Sequence, residues 1–214
     1  MRSGIIIIMF VMICNNASSQ QKGGMEQYYY TGVGNSSVVP KLYYQSTNNW
    51  HGEVRYNYEE LQTMSLNAGK EISLYKHLGL TVTPMGGIVL GKLNGGNIGS
   101  NLNLDYKKVF VSLESQFTFS MEKKSQNFFF NWSESGYQFS DLMYAGIALQ
   151  VTHPYEIKNN WQPGLMVGFC YKNWTFPLYA FEPLNVNRNY VVGIHWEWVK
   201  EKSPGKSLSD ISQQ

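Results

Sequence analysis

The sequence predicts an all-β protein, a closed antiparallel up-and-down transmembrane β-barrel of 10–12 strands, with twelve favoured. Three observations predict it. After the first twenty residues, polar and apolar side chains alternate with a period of two through almost the whole chain, the spacing of a strand with two unlike faces. Turn-forming residues interrupt that alternation at short intervals, and no stretch carries the apolar stripe of an amphipathic helix. The composition agrees: charged residues make up 15% and aromatics also 15%, with 15 Tyr and 20 Gly, which is poor in charge for a soluble domain and rich in strand and turn formers.

The first element is a targeting signal. Arg2 precedes an apolar run from Gly4 to Cys14, and a small polar stretch, Asn15-Asn16-Ala17-Ser18-Ser19-Gln20, follows it. This order predicts a secretory signal peptide over residues 1–20, removed near Ser19 or Gln20. The run is about half the ~20 residues a spanning helix needs. Lipid attachment at Cys14 is disfavoured by Ile13 in the preceding position. Cys170 is then alone in an apolar run, a packing residue rather than part of a disulfide framework. Nothing later is a candidate membrane helix, so any contact with a bilayer must be made by a closed sheet.

The barrel is expected over residues 21–200, with a polar tail over 201–214. Predicted strands cover 26–34, 36–46, 50–59, 62–73, 77–90, 97–106, 109–121, 126–137, 141–152, 162–171, 174–182 and 188–199. Asn35-Ser36 either separates the first two or bends one long strand. The third is the clearest: Trp50, Gly52, Val54, Tyr56 and Tyr58 share one face, and His51, Glu53, Arg55, Asn57 and Glu59 the other. The same alternation sets Ile98, Leu102 and Leu104 against Asn97, Asn101 and Asp105, and Val109, Val111 and Leu113 against Phe110, Ser112 and Glu114. Met143, Ile147 and Leu149 oppose Tyr144, Ala148 and Gln150. Leu165, Val167 and Phe169 oppose Met166, Gly168 and Cys170, and Val192, Ile194 and Trp196 oppose Val191, His195 and Glu197. Pro84 falls on the apolar face of a predicted strand, where it removes a ladder hydrogen bond.

In the twelve-strand reading the short turns, Thr47-Asn48-Asn49, Lys107-Lys108 and Lys172-Asn173, fall on one side. The mostly longer connections, at 123–125, 153–161 and 183–188, fall on the other. Spanning barrels have this asymmetry, and an even strand number returns both termini to the short-turn, periplasmic side. The tail beyond the last strand leaves Trp196 and Trp198 to act as the terminal aromatic assembly signal from within the chain.

Alternation alone does not say which face meets solvent, and an exported soluble β-barrel or sandwich binding an apolar ligand remains the alternative. Two features favour lipid outside. Aromatics gather towards strand ends, at Trp50, Tyr58, Tyr106, Trp132, Tyr171, Trp174, Tyr190, Trp196 and Trp198, as in interfacial girdles. Many strands reach the ~9–11 residues that cross a bilayer, against about 5–6 in soluble domains.

The chemistry is sparse. A net charge of +2 is too small to imply nucleic acid as a partner. There is no nucleophile elbow, no His or Cys arrangement with metal-ligand spacing, and no cofactor motif. Lys92-Leu93-Asn94-Gly95-Gly96-Asn97 is glycine-rich but joins two strands, so it reads as a hairpin. A lipid-modifying barrel enzyme would need a serine brought to one of His51, His77, His153 or His195. The remaining candidate is the polar face. His51, Glu53, Arg55, Asp105, Glu114, His195 and Glu197 are the candidate lumen-lining residues, with Glu59 and Glu182 also expected inward. They form either a mutually hydrogen-bonded interior or a small-solute passage in which acidic excess favours cations.

Trp50-His51-Gly52-Glu53-Val54-Arg55-Tyr56-Asn57-Tyr58-Glu59, Phe128-Phe129-Phe130-Asn131-Trp132-Ser133-Glu134 and Gly193-Ile194-His195-Trp196-Glu197-Trp198 resemble strands of small outer-membrane barrels of the Bacteroidetes type. The resemblance covers nearly the whole expected mature chain. It implies location in the cell outer membrane, with membrane lipid and the barrel-assembly machinery as partners. It carries no assigned activity.

Overall fold

Two-residue alternation becomes strand throughout the computed structural model, which describes residues 21–32, 36–154, 160–186 and 188–200. The expected signal peptide and polar tail lie outside the described residues. In chain order the strands are β1 (Gln21–Gly32), β2 (Ser36–Gln45), β3 (Trp50–Tyr56), β4 (Thr63–Lys70), β5 (Ile72–Tyr75), β6 (Leu80–Gly91) and β7 (Gly95–Tyr106), followed by β8 (Val109–Ser120), β9 (Phe128–Ser140), β10 (Met143–Pro154), β11 (Asn160–Tyr171), β12 (Trp174–Phe181) and β13 (Asn189–Lys200). Each pairs antiparallel with its sequence neighbours except between β4 and β5, and β1 pairs with β13 from Gln21↔Lys200 to Gly32↔Asn189, which closes the sheet.

β4 and β5 are one stave broken at Glu71. Both pair with β6, through Gly69↔Met85 on one side of the break and Ile72↔Val82 on the other. The thirteen strands therefore make a closed antiparallel barrel of twelve staves. The break also accommodates Pro84. It lies opposite the gap between the two ladders, where its missing N–H has no bond to lose. The first strand begins at Gln21, five residues before the alternation becomes legible, because Gly23 and Gly24 carry no pattern.

The connections at 46–49, 76–79, 107–108, 141–142 and 172–173 lie at one end together with Gln21 and Lys200. Those at 57–62, 92–94, 121–127 and 182–188 lie at the other and run up to seven residues.

The apolar faces point outward. Leu42, Ile88, Ile98, Ile147, Leu165 and Leu178 are exposed at mid-barrel, with Ile98 61% and Ile147 63% accessible. Aromatics flank this belt at both ends. Tyr44, Trp50, Tyr106, Tyr171 and Trp196 are exposed at the short-turn end, and Tyr56, Phe119, Phe129, Trp161 and Tyr190 at the long-loop end. Lys70, Lys107 and Lys172 lie over the rings of Trp50, Tyr106 and Tyr171, ammonium groups on the wet side of amphipathic rings. This is the surface of a transmembrane barrel.

The interior divides in two. On the β9–β13 side it is an apolar core of Ala148, Met166, Tyr179, Phe181 and Val191, joined by Phe110, Trp132 and Tyr144. Trp132 meets Tyr179 and Phe181 edge-on, with ring centroids 5.1 Å apart in each case. Glycines make room for these rings: a Cβ on Gly168 would stand 2.0 Å from the Tyr144 ring, and one on Gly164 2.7 Å from Phe181. Each such pair is cross-strand, so ring and glycine share one inward face. On the β1–β4 side, with β8 facing, the interior is charged.

Candidate functional site

Register assembles the charged half. Glu26 on β1 is opposite Lys41 on β2, and Lys41 is opposite Arg55 on β3. The period of two keeps all three inward. Two cations directly opposite each other repel, and three carboxylates offset this. Lys41 Nζ lies 3.3 Å from Glu26, 3.5 Å from Glu114 and 3.8 Å from Glu53. Arg55 Nη1 lies 2.6 Å from Glu114, and its Nη2 pairs with Glu53. Glu114 comes from β8, four staves round the barrel from β3, so the contact crosses the lumen.

Further groups fix Arg55, whose side chain has no exposure at all. Its Nη1 also donates to Gln116 Oε1 at 3.1 Å, and Gln116 Nε2 donates to Glu59 and Thr118. The Tyr58 ring lies 4.2 Å from the guanidinium carbon, and the Tyr58 hydroxyl donates to Glu114. Tyr58 is in the 57–62 connection. Burial first, then the Glu114 carboxylate, pushes its phenol well above the ordinary value, so it stays a donor. Buried charges are tolerable only when paired and hydrogen-bonded in this manner.

On the short-turn side of the cluster is a polar vestibule of about 540 Å³. Lys22, Glu71, Asp105 and Glu197 stand near its mouth; Glu26, Lys41, Glu114 and Trp132 form its floor. Tyr43 donates to Glu197 at 2.6 Å and Gln45 to Glu71 at 2.8 Å. Deeper in, Glu134 accepts from Tyr179 at 2.8 Å and from the Trp132 indole. His195 packs edge-on against Tyr28, with centroids 4.9 Å apart. On the long-loop side of the cluster lies a cavity of about 30 Å³, beside Tyr30, Val39 and Tyr58. The cluster therefore spans the lumen between these two cavities.

The structure places the seven sequence candidates at three levels. Glu53, Arg55 and Glu114 form the closing cluster; His51 and His195 line the vestibule, with His51 Nε2 3.5 Å from Glu53; Asp105 and Glu197 are at its mouth. Three expectations are corrected. Trp132 does not join an aromatic girdle but points into the barrel, against Tyr179 and Phe181. Tyr58 does not share the apolar face of Trp50, because Asn57 takes a left-handed φ of 58° and ends the alternation, turning Tyr58 inward. Glu182 does not point into the lumen. It lies in the 182–188 loop, with φ 46°, and accepts a bond from Asn185. Sequence reasoning missed Glu26, Lys41 and Glu134. For Glu26 and Lys41 the missing signal is register, since β2 is mixed on both faces, with Val38-Pro40-Leu42 against Val39-Lys41-Tyr43. Among the described residues no group of three or more His, Cys, Asp or Glu is arranged to hold a metal ion.

No protein family matches this sequence, and no curated protein does. Solved structures do match. The KdgM porin superposes with a TM-score of 0.61 at 12% identity, over 81% of this chain and 98% of its own. A structure of the KdgM porin in complex with disordered oligogalacturonate gives the same figures. The NanC porin gives 0.61 at 10% identity, again over 81% and 98%. The likeness is one of fold.

Proposed function

We propose that this chain is an outer-membrane barrel whose lumen is a passage for small polar solutes, closed at rest by the Lys41–Arg55 charge cluster. Arg55 carries the reading: a fully buried guanidinium, reached across the lumen by Glu114, separates a 540 Å³ vestibule from the long-loop end. The vestibule opens on the short-turn side, which is the periplasmic side in barrels of this kind. Glu26, Glu71, Asp105, Glu114, Glu134 and Glu197 outnumber Lys22 and Lys41 along it, which favours cations over anions. His195 Nε2 and Asn101 Oδ1, both in its lining, are buried without a protein partner and suit a solute or water that brings hydrogen bonds.

The porin fold of KdgM and NanC supports passage as the activity behind the closure. Outer-membrane lipid is the expected surrounding, and the assembly machinery the expected partner during insertion. The strand sequences quoted above support a place among Bacteroidetes-type barrels.

Planar-bilayer recording tests this. Wild-type protein is expected to show no steady conductance at low voltage, and the Lys41→Met/Arg55→Met variant a cation-selective one. Steady wild-type conductance overturns the closed state. A double variant that still shifts on boiling in a gel, yet does not conduct, makes the barrel structural.

A further inference from the structure

β9 departs from the apolar rule of the outer belt. Phe130, Trp132 and Glu134 point inward, so Asn131, Ser133 and Ser135 point outward at mid-barrel. They are short residues between large ones. Ser135 is flanked by Val111 on β8 and Ile147 on β10, and Ser133 by Leu113 and Leu149. Asn131 and Ser133 are satisfied within the wall: Asn131 Nδ2 donates to Ser115 Oγ at 2.8 Å and to the Glu114 carbonyl, and Ser133 donates to Asn131 Oδ1. The result is a sunken floor with apolar sides.

A loop forms the far side. β12 ends at Phe181, level with Gly164, while β11 continues to Asn160. The chain therefore leaves the wall at mid-height, pinned by the Glu182 N–H donating to the Pro163 carbonyl at 2.8 Å. Pro183, Leu184 and Val186 border the resulting hollow of about 1020 Å³. Leu184 is 102% and Val186 81% accessible, apolar side chains set beside an apolar trench. A second hollow, of about 470 Å³, shares Leu149 with the first and continues towards the long-loop rim between Phe129 and Trp161.

We propose that this trench binds one acyl chain of a membrane lipid, laid along β9 with its headgroup at the long-loop rim. The trench lies in the exposed apolar belt, between the two aromatic flanks, so the medium that fills it is hydrocarbon. Its elongated form suits a chain. The 182–186 loop gives that chain a third contact surface that a smooth barrel wall lacks. The inference rests on the membrane reading above.

Bimane fluorescence tests both separately. The label is placed at Leu165→Cys on the trench edge, or at Leu42→Cys on the opposite wall, in a Cys170→Ser background. The protein is folded into phosphatidylcholine vesicles containing a rising fraction of lipid with brominated chains. Quenching at position 165 is expected to half-saturate at a several-fold lower brominated fraction than at position 42. Filling the floor with Ser133→Phe and Ser135→Phe should return position 165 to the curve of position 42. Identical curves without the filling substitutions overturn the trench and leave the membrane reading standing. No quenching at either position, in protein that shifts on boiling, overturns both.

Discussion

Lys41 and Arg55 stand directly opposite each other on β2 and β3, two cations facing the same lumen, with Glu114 3.5 Å from one and 2.6 Å from the other. The contact ties neighbouring staves to a strand four staves away. Ladder hydrogen bonds hold only adjacent strands, so this cluster braces the barrel across its width as well as closing it.

Glu114→Gln should therefore cost more than the loss of an ordinary ion pair. It removes the carboxylate shared by both cations and leaves Glu26 and Glu53 alone to offset two buried positive charges, a loss of about 3 kcal/mol. Urea unfolding of protein folded into vesicles measures it. In Lys41→Met/Glu114→Gln the cation leaves with its partner, and the double variant should be less destabilised than Glu114→Gln alone. A larger loss in the double variant contradicts the shared-carboxylate account.

Tyr58 makes two separable contributions. Tyr58→Phe keeps the ring beside Arg55 and removes the hydroxyl bond to Glu114, for an expected loss of about 1 kcal/mol. Tyr58→Ala also removes the cation–π contact, worth about 2 kcal/mol in a desolvated site. Equal losses in the two variants would mean that the ring contributes nothing. The same Ala variant should raise conductance in bilayers, because the side chain occupies the far side of the closure.

How legible was this in the sequence? The staves were legible wherever one face is uniformly apolar, as in β3, β8 and β13, because burial between lipid and lumen imposes the period of two. Legibility failed where both faces are mixed. Val39, Lys41 and Tyr43 point in while Val38, Leu42 and Tyr44 point out, and nothing local distinguishes the sets. It failed at Tyr58 because one left-handed residue, Asn57, reverses the inside–outside count. The site was legible as a face but not as a cluster. Glu114 and Arg55 lie far apart in sequence, and only barrel closure brings them together. The apolar half of the lumen was hidden for a related reason: Trp132 reads as a belt aromatic until its inward register is known.

Trp132 tests that apolar half. It touches Tyr28, Tyr179 and Phe181 and borders the vestibule floor. Trp132→Ala should cost about 3–5 kcal/mol as a core cavity, and it should join the vestibule to the 30 Å³ space beyond. A loss below about 1 kcal/mol would mean that the core collapses into the space, and conductance would then stay unchanged.

The belt gives the sharpest test of what surrounds the barrel. Leu42 is 54% exposed at mid-height and Trp50 58% exposed at the short-turn rim. To water the two positions are equivalent, and arginine at either should change stability by no more than about 0.5 kcal/mol. In a bilayer they differ by depth. Leu42→Arg places a charge near the midplane, at a cost of roughly 2–4 kcal/mol, while Trp50→Arg lies at the interface, where the cost is about 0–1 kcal/mol. Urea unfolding of both variants from vesicles reads the difference directly. A gap of about 2 kcal/mol between them identifies hydrocarbon as the solvent of the outer face. Equal, small effects would instead identify water and turn the exposed apolar belt into a surface awaiting a protein cover.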